Sequence, residues 1–135
     1  MERKNLNRGY KKLNVWNDGI ELYCLVFKVL LKLPLEFKKV TSNAIDAAQS
    51  ITRNIAEGYC RRSIKEYIQF LYYALGSCGE LHSSLCSFLK SGQLSAEDFE
   101  TIDELHYKTE NELIQLVKSL QRKSGENIWN DNLNF

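Results

Sequence analysis

The residues of this chain with the clearest capacity for chemistry are three soft metal ligands spaced one helical turn apart. Cys78, His82 and Cys86 recur at every fourth position, which places them on one face of a helix. A structural zinc ion needs four ligands, so His106 or Cys60 would have to complete the set from another helix. The alternative is a place in an apolar core, where unpaired cysteines are commonly buried. We expect the core position, and we predict no metal site and no cofactor.

Other catalytic patterns are incomplete or absent. Di-iron helical bundles use two Glu-x-x-His motifs, whereas this chain has the related Asp103-Glu-Leu-His106 once, and Glu80-Leu-His82 has the wrong spacing. There is no glycine-rich phosphate loop and no nucleophile elbow. The single carboxylates Glu57 and Glu80 are interpreted as partners of nearby arginines. We therefore predict that the protein is not an enzyme.

Basic residues in two segments form a second kind of candidate site, for contact with phosphate groups. The candidates are Arg53, Arg61, Arg62 and Lys65 around a break between two helical patterns, and Arg3, Lys4, Arg8, Lys11 and Lys12 near the N-terminus. Binding through such residues would be sensitive to salt. The net charge is only +1, which is low for a nucleic-acid-binding domain. The alternative interpretation of residues 1–12 is a solvated terminus.

Four amphipathic patterns must position these side chains. Apolar residues recur at three- and four-residue spacing over residues 14–33, 42–58, 64–91 and 96–123. Pro34 stops the first pattern because its ring removes an amide donor, and Thr41 or Ser42 can cap the second. Ser63 and Glu66 have the spacing of a capping box at the start of the third. The helix boundaries are therefore predicted from local chemistry.

Several residues are assigned structural roles. Gly58 is expected to take the left-handed conformation that commonly ends helices. Gly76 and Gly79 each cost about 1 kcal/mol against alanine inside a helix, so we predict that another helix crosses closely there. Trp16 lies on the apolar stripe of the first helix, and Asn54 is placed near the inner face of the second, where an amide needs hydrogen-bond partners.

Together the four patterns predict an all-α protein, an antiparallel up-down-up-down four-helix bundle over residues 13–123. Residues 1–12 are predicted to be a flexible basic arm. Residues 124–135 form a C-terminal tail, in which Trp129 and Phe135 either pack on the bundle or a neighbouring subunit, or are disordered. The first and third patterns are apolar around more than one face, which indicates a second buried surface such as an oligomer contact.

The compartment follows from what the sequence does not contain. The four cysteines show no Cys-x-x-Cys pairing, and the first residues lack the apolar core of a signal peptide. No apolar run approaches the roughly 18 residues of a membrane span. We expect a cytoplasmic protein with buried free thiols and no membrane contact.

A family resemblance rests on the segment Asn54-Ile-Ala-Glu-Gly58 with Arg62-Ser63, and on Leu13-Asn-Val15-Trp16 upstream. Over residues 13–122 the sequence resembles the four-helix-bundle proteins encoded in intervening sequences of bacterial large-subunit (23S) ribosomal RNA genes. That family includes the accessory variability determinant of diversity-generating retroelements, which works with a reverse transcriptase. In that relative a pentameric barrel of bundles binds nucleic acid through a basic surface. For this chain the resemblance implies a non-enzymatic bundle that assembles into a homopentameric ring.

One departure limits what the resemblance implies. Family members commonly carry paired arginines shortly before the Ala47-Ala48 step, whereas this chain has Ile45 and Asp46 there. Two hypotheses therefore stay open. The first is an oligomeric scaffold that contacts RNA or a nucleic-acid-processing protein such as a reverse transcriptase. The second is a protein–protein interaction module without affinity for nucleic acid.

Overall fold

The computed structural model describes residues 2–125 and gives them an all-α fold. Within this range there are four α-helices and two 3₁₀ helices and no β-strand. The α-helices are α1 (Asn14–Leu30), α2 (Lys38–Tyr59), α3 (Ile64–Lys90) and α4 (Ala96–Ser124). The 3₁₀ helices are Leu6–Lys12 and Leu35–Phe37. Most of the predicted tail, with Trp129 and Phe135, lies outside the described residues.

All four α-helices bury one face in a common core. Fully buried side chains include Leu22 on α1, Ile51 on α2, Leu81 on α3 and Leu113 on α4. Contacts join α1 to α2, α2 to α3, α3 to α4, and α4 back to α1. Within residues 2–125, none of these helices combines the length and the apolar character that a membrane crossing requires.

The structure corrects two predicted helix ends. Helix α1 stops at Leu30, three residues before the predicted end, and α2 starts at Lys38 rather than at residue 42. Thr41 does not cap α2. Its buried side chain lies inside the helix, where the hydroxyl donates to the carbonyl oxygens of Phe37 and Lys38 at 3.1 Å each. A threonine hydroxyl can either cap a helix or donate to a carbonyl oxygen of the preceding turn inside one. The sequence position of Thr41 therefore did not distinguish the two roles.

The start of α3 agrees with the predicted cap. The Ser63 hydroxyl accepts a hydrogen bond from the Glu66 amide at 3.2 Å, and the backbone of Ser63 is extended. This arrangement satisfies one of the free amides in the first helical turn. It fixes the point at which the chain turns out of α2 and into α3.

The glycines behave differently from the prediction. Gly58 is helical and buried inside α2, and the left-handed glycines among the described residues are Gly92 and Gly125. A Cβ at Gly58 would lie 2.8 Å from the Phe70 Cβ and 3.1 Å from the Tyr67 carbonyl oxygen. Gly58 therefore serves close helix packing rather than termination.

Gly76 and Gly79 do not mark a helix crossing within residues 2–125. A Cβ built on either residue meets no heavy atom within 4 Å, and both are exposed on α3. The close approach that we predicted at these positions occurs instead at Gly58. It also occurs at Gly19, where a Cβ would lie 2.7 Å from the Thr52 side chain.

The structure also corrects the prediction for the N-terminal segment. Residues 6–12 form a 3₁₀ helix in contact with α1 and α2, where the composition had predicted a flexible arm. The Asn5 side chain caps this helix by accepting from the Arg8 amide at 3.1 Å. The Tyr10 ring packs edge-on against Trp16 and Tyr59, with centroids 5.2 and 6.4 Å away. Aromatic burial of this kind offsets the entropy lost on ordering the segment.

Candidate nucleic-acid interface

The α2–α3 junction displays two arginines in different states. The Arg61 guanidinium is held by Glu57 at 2.9 Å and lies over the Phe70 ring, 4.6 Å from its centroid. A guanidinium over an aromatic face is attracted by the ring quadrupole, so Arg61 is oriented by its own helix and by α3. Arg62 is exposed and makes no ion pair within residues 2–125.

The N-terminal 3₁₀ helix lies directly against this junction. The Cys60 thiol donates to the Asn7 carbonyl oxygen at 3.2 Å, which joins positions 53 residues apart in the sequence. A shallow pocket between the two segments is lined by Leu6, Asn7, Tyr59, Cys60, Arg61 and Arg62. The predicted N-terminal cations and the predicted junction cations therefore belong to one surface.

We call this surface the basic corner. Tyr59 lines both its pocket at the junction and an adjoining groove of about 530 Å³ beside the N-terminal segment. Its seven cations, all exposed, are Arg3, Lys4, Arg8, Lys11, Lys12, Arg61 and Arg62.

Few carboxylates neutralise the basic corner. Glu2 lies 3.6 Å from the Lys4 ammonium, and Glu57 pairs with Arg61. The other five cations form no ion pair with any of residues 2–125. Exposed, unpaired cations at this density are suited to phosphate, which binds through charge and not through base identity.

Two predicted cations do not join the basic corner. Arg53 lines a separate groove on α2 and α3, which it shares with the carboxylates Asp46 and Glu80. Glu80 itself forms no ion pair within residues 2–125, although it was interpreted as an arginine partner. Lys65 is exposed in the first turn of α3, beside the junction in sequence but outside both grooves.

Asn54 occupies a polar contact between α2 and α3. Its side-chain amide donates to the Ser50 carbonyl oxygen at 2.8 Å and to the Ser50 hydroxyl at 3.0 Å. The Ser77 hydroxyl of α3 donates to the Ser50 hydroxyl at 2.8 Å. These hydrogen bonds provide the partners that we expected the Asn54 side-chain amide to need near the inner face of α2.

Cysteine, histidine and carboxylate side chains lie along the contact between α3 and α4. The ligand atoms of Cys78, His106 and Glu110 all lie within 4.8 Å of one another. Burial, with a smaller effect from the Glu110 carboxylate, raises the pKa of the Cys78 thiol to about 12. His82 instead pairs with Asp103 at 3.4 Å. The three ligands that share one face of α3 in the sequence thus separate into different surroundings.

Cys86 and His82 contact each other on α3. The Cys86 sulfur lies 3.7 Å from the His82 Nε2 and 3.8 Å from its Nδ1. Both side chains are half-buried, whereas Cys78 is fully buried. Cys78 therefore faces α4, where its carbonyl oxygen lies 2.8 Å from the His106 Nε2. The His82 ring also packs against His106, with ring centroids 5.5 Å apart.

A carboxylate pair joins α1 to α4. The Asp18 carboxylate accepts from the Lys108 ammonium at 3.2 Å, and Glu112 lies beside them. Burial, together with a hydrogen bond and repulsion from Asp18, raises the pKa of Glu112 to about 7. Its Oε1 atom is buried without a hydrogen-bond partner among residues 2–125. Sequence reasoning missed this pair because its members are 94 residues apart.

Sequence reasoning found the cations of the basic corner but not their convergence. The available signal was the aromatic content of both segments, since Tyr10 and Tyr59 pack on each other. Glu110 was missed as a neighbour of Cys78 and His106 because helix rotation cannot be read from one sequence. Its spacing of four residues from His106 was the only signal.

Comparison with known protein families identifies the chain. Residues 11–121 match the 23S rRNA-intervening sequence protein family, which covers most of the sequence and all of the core helices except the last residues of α4. A comparison with curated proteins finds no match. The matched range includes the α2–α3 junction and its two arginines. The chain therefore belongs to the 23S rRNA-intervening sequence protein family.

Proposed function

We propose that the protein is a non-enzymatic, cytoplasmic, homo-oligomeric scaffold that contacts RNA through its basic corner. Its architecture would be the antiparallel up-down-up-down four-helix bundle. Contacting residue pairs support that topology. Between α2 and α3, Ser50 contacts Ser77, whereas Gly58, which comes later in α2, lies against Tyr67, which comes earlier in α3. The order is likewise reversed between α3 and α4, where Cys78 meets His106 and Tyr72 meets Gln121.

The convergence of two basic segments is the observation that carries the RNA proposal. Neither segment alone exceeds five cations, but together they present seven around one pair of grooves. The net charge of +1 describes the whole chain and hides this local excess. Each phosphate contact releases counterions, which gives binding energy without base recognition.

Assembly would multiply the effect of the basic corner. A homopentamer would carry five copies, and linked weak sites bind a long strand far more tightly than one site does. Self-association has its own support in exposed apolar side chains, among them Phe27 at 40% and Leu31 at 61% of full exposure. Large apolar side chains exposed on helices commonly mark protein contacts.

The RNA proposal is tested by a pair of charge-matched variants. We expect Arg8→Ala/Arg62→Ala, which removes one cation from each segment of the basic corner, to weaken binding to fluorescently labelled single-stranded RNA. Two lost phosphate contacts should lower affinity roughly tenfold and reduce the slope of log affinity against log salt by about 1.4 in total, or about 0.7 for each contact. Fluorescence anisotropy at several salt concentrations measures both quantities.

The control is Lys38→Ala/Lys39→Ala at the start of α2. These exposed lysines lie about 30 Å from the junction at 1.5 Å per residue along the helix, and their loss changes the net charge by the same amount. The control should bind RNA nearly as well as the unmodified protein. Equal losses in both variants, or no RNA binding at all, would refute the proposal.

The second candidate function is a protein–protein interaction module without nucleic-acid affinity. The exposed aromatic side chains Tyr73 and Tyr107, at 51% and 66% of full exposure, favour it, because aromatic residues are enriched in protein interfaces. This function predicts oligomers that do not bind RNA at any salt concentration.

A further inference from the structure

We propose that Cys78, His106 and Glu110 form a binding site for a divalent transition-metal ion of the zinc class. Their ligand atoms lie within 4.8 Å of one another, so small side-chain movements would bring all three within the roughly 2.0–2.3 Å bond lengths of one ion. Cys78 comes from α3, and the other two lie one turn apart on α4. The site is thus assembled from two packed helices instead of a mobile loop.

The donor set selects the kind of ion. A thiolate, an imidazole and a carboxylate are the three ligand types that bind zinc, at about 2.0–2.3 Å each. Calcium and magnesium prefer sites made of oxygen atoms alone, so sulfur and nitrogen donors disfavour both. Three protein ligands leave the fourth tetrahedral position to water or to an outside ligand.

One hydrogen bond holds the His106 ring in place. Its Nε2 atom lies 2.8 Å from the Cys78 carbonyl oxygen, and since a carbonyl only accepts, Nε2 carries the proton. In the neutral ring the lone pair is then on Nδ1, which is the atom that would bind an ion. Histidines that bind metals usually donate their other ring N–H to a carbonyl or carboxylate in this way.

Burial gives the site its electrostatic character. Cys78 and His106 are almost completely inaccessible, at 0% and 2% exposure, while Glu110 is half-buried and provides the opening to solvent. On binding, the ion takes the place of the Cys78 thiol proton, which leaves to solvent. A cation would also be attracted by the Glu110 carboxylate in a setting where water screens little.

These ligands differ from the set that helical spacing brought together. Cys78 and Cys86 are eight residues apart, or about 12 Å along α3 at 1.5 Å per residue, and two sulfurs on one zinc ion lie less than about 5 Å apart. One ion therefore cannot bind both. Our expectation of no metal site considered the three α3 residues completed by His106 or Cys60, and it rested on the common burial of free cysteines. The structure instead groups Cys78 with His106 and Glu110 of α4.

The test uses the full-length protein and zinc itself. Competition with a chromophoric chelator measures the stoichiometry and affinity, and we expect one zinc ion per chain. Replacement by cobalt(II) gives a second readout, because a thiolate ligand produces a charge-transfer band in the near ultraviolet and tetrahedral geometry produces intense visible bands. No zinc binding by the purified protein would overturn the proposal.

Matched variants assign the ligands. Cys78→Ser should abolish the charge-transfer band, and Glu110→Gln, at a half-buried position, should weaken zinc binding at least tenfold while helical content by circular dichroism stays the same. Cys86→Ser is a control of the same chemistry on the same helix and should bind zinc normally. Loss of binding in this control, or full binding in Glu110→Gln, would overturn the assignment.

Discussion

At the scale of single residues, Asp18 and Glu112 show how packing changes ordinary acid–base chemistry. Two carboxylates share a site with one lysine, so one carboxylate is left without a countercharge of its own. That carboxylate is Glu112, whose Oε1 atom is buried without a hydrogen-bond partner among residues 2–125, and its pKa rises to about 7. The hydrogen bond and charge of Asp18 correspondingly raise the pKa of Lys108. The α1–α4 contact thus depends on protonation.

This pair predicts a fall in stability as the pH rises. The folded protein keeps the Glu112 proton up to about pH 7, whereas the unfolded carboxyl releases it near its ordinary value of 4.5. The folded state therefore binds more protons between these values, and the free energy of unfolding decreases with pH across that range. Because solvent reaches part of the side chain, the contribution is about 1 kcal/mol or less.

Glu112→Gln removes the titrating group and keeps its shape. Between pH 4.5 and 7 we expect the free energy of unfolding of this variant to decrease less than that of the unmodified protein. At pH 8 the variant should be the more stable of the two. Urea unfolding followed by circular dichroism at several pH values measures the difference. An identical pH profile for the two proteins would contradict the raised pKa of Glu112.

At the scale of helices, α2 and α3 owe their close packing to Gly58 and to small residues. Ala44, Ala47 and Ala48 on α2 are all buried, and at Gly58 the two backbones come so close that a methyl group would touch the Tyr67 carbonyl oxygen. This approach sets the position of the junction that follows. The same contact therefore supports both the core and the basic corner.

Alanine substitutions at a tightly packed glycine, Gly58, and at an exposed one, Gly76, test this contact. Gly58→Ala should lower the free energy of unfolding by about 1–3 kcal/mol, because the added methyl has no space between Phe70 and Tyr67. Gly76→Ala should raise it by up to about 1 kcal/mol, because the exposed helical position gains propensity without a clash. Denaturant unfolding measures both. Destabilisation by Gly76→Ala would show that another helix, absent from residues 2–125, approaches there.

Helix periodicity predicted the elements of the fold better than their contacts. The 64–91 and 96–123 segments agree with α3 and α4 to within one residue, because strong capping serines begin each. Gly58 and Thr41 were misread because each residue type satisfies two different local roles. The docked N-terminal helix and the α3–α4 ligand cluster depend on contacts between distant segments, which no local pattern contains.

At the scale of the whole molecule, different surfaces carry different properties. The basic corner gathers seven cations, whereas the first part of α4 is acidic, with seven carboxylates and one lysine between Ser95 and Glu112. Unlike charges on separate faces orient a polyanion toward the corner and away from α4. Apolar side chains are exposed elsewhere, on α1 and α3. A ring of such molecules would bury the apolar faces and keep the corners accessible.

The last prediction separates assembly from charge. If α1 provides the oligomer contact, Phe27→Ser/Leu31→Ser should reduce the mass measured by light scattering from about five times 15.7 kDa to that of one chain, because two large apolar side chains lose their burial at the contact. Leu6→Ser removes an apolar side chain that is 91% exposed at the basic corner, and should leave the mass unchanged.

Because Phe27→Ser/Leu31→Ser alters no charge and lies outside the basic corner, a change in its RNA affinity reports avidity. We expect Phe27→Ser/Leu31→Ser to bind a long RNA more weakly while its affinity for an oligonucleotide that spans one corner stays the same, because only the long strand engages several corners at once. A monomeric unmodified protein would rule out the ring. If the unmodified protein is assembled but the monomeric variant binds long RNA equally well, each RNA strand binds a single corner.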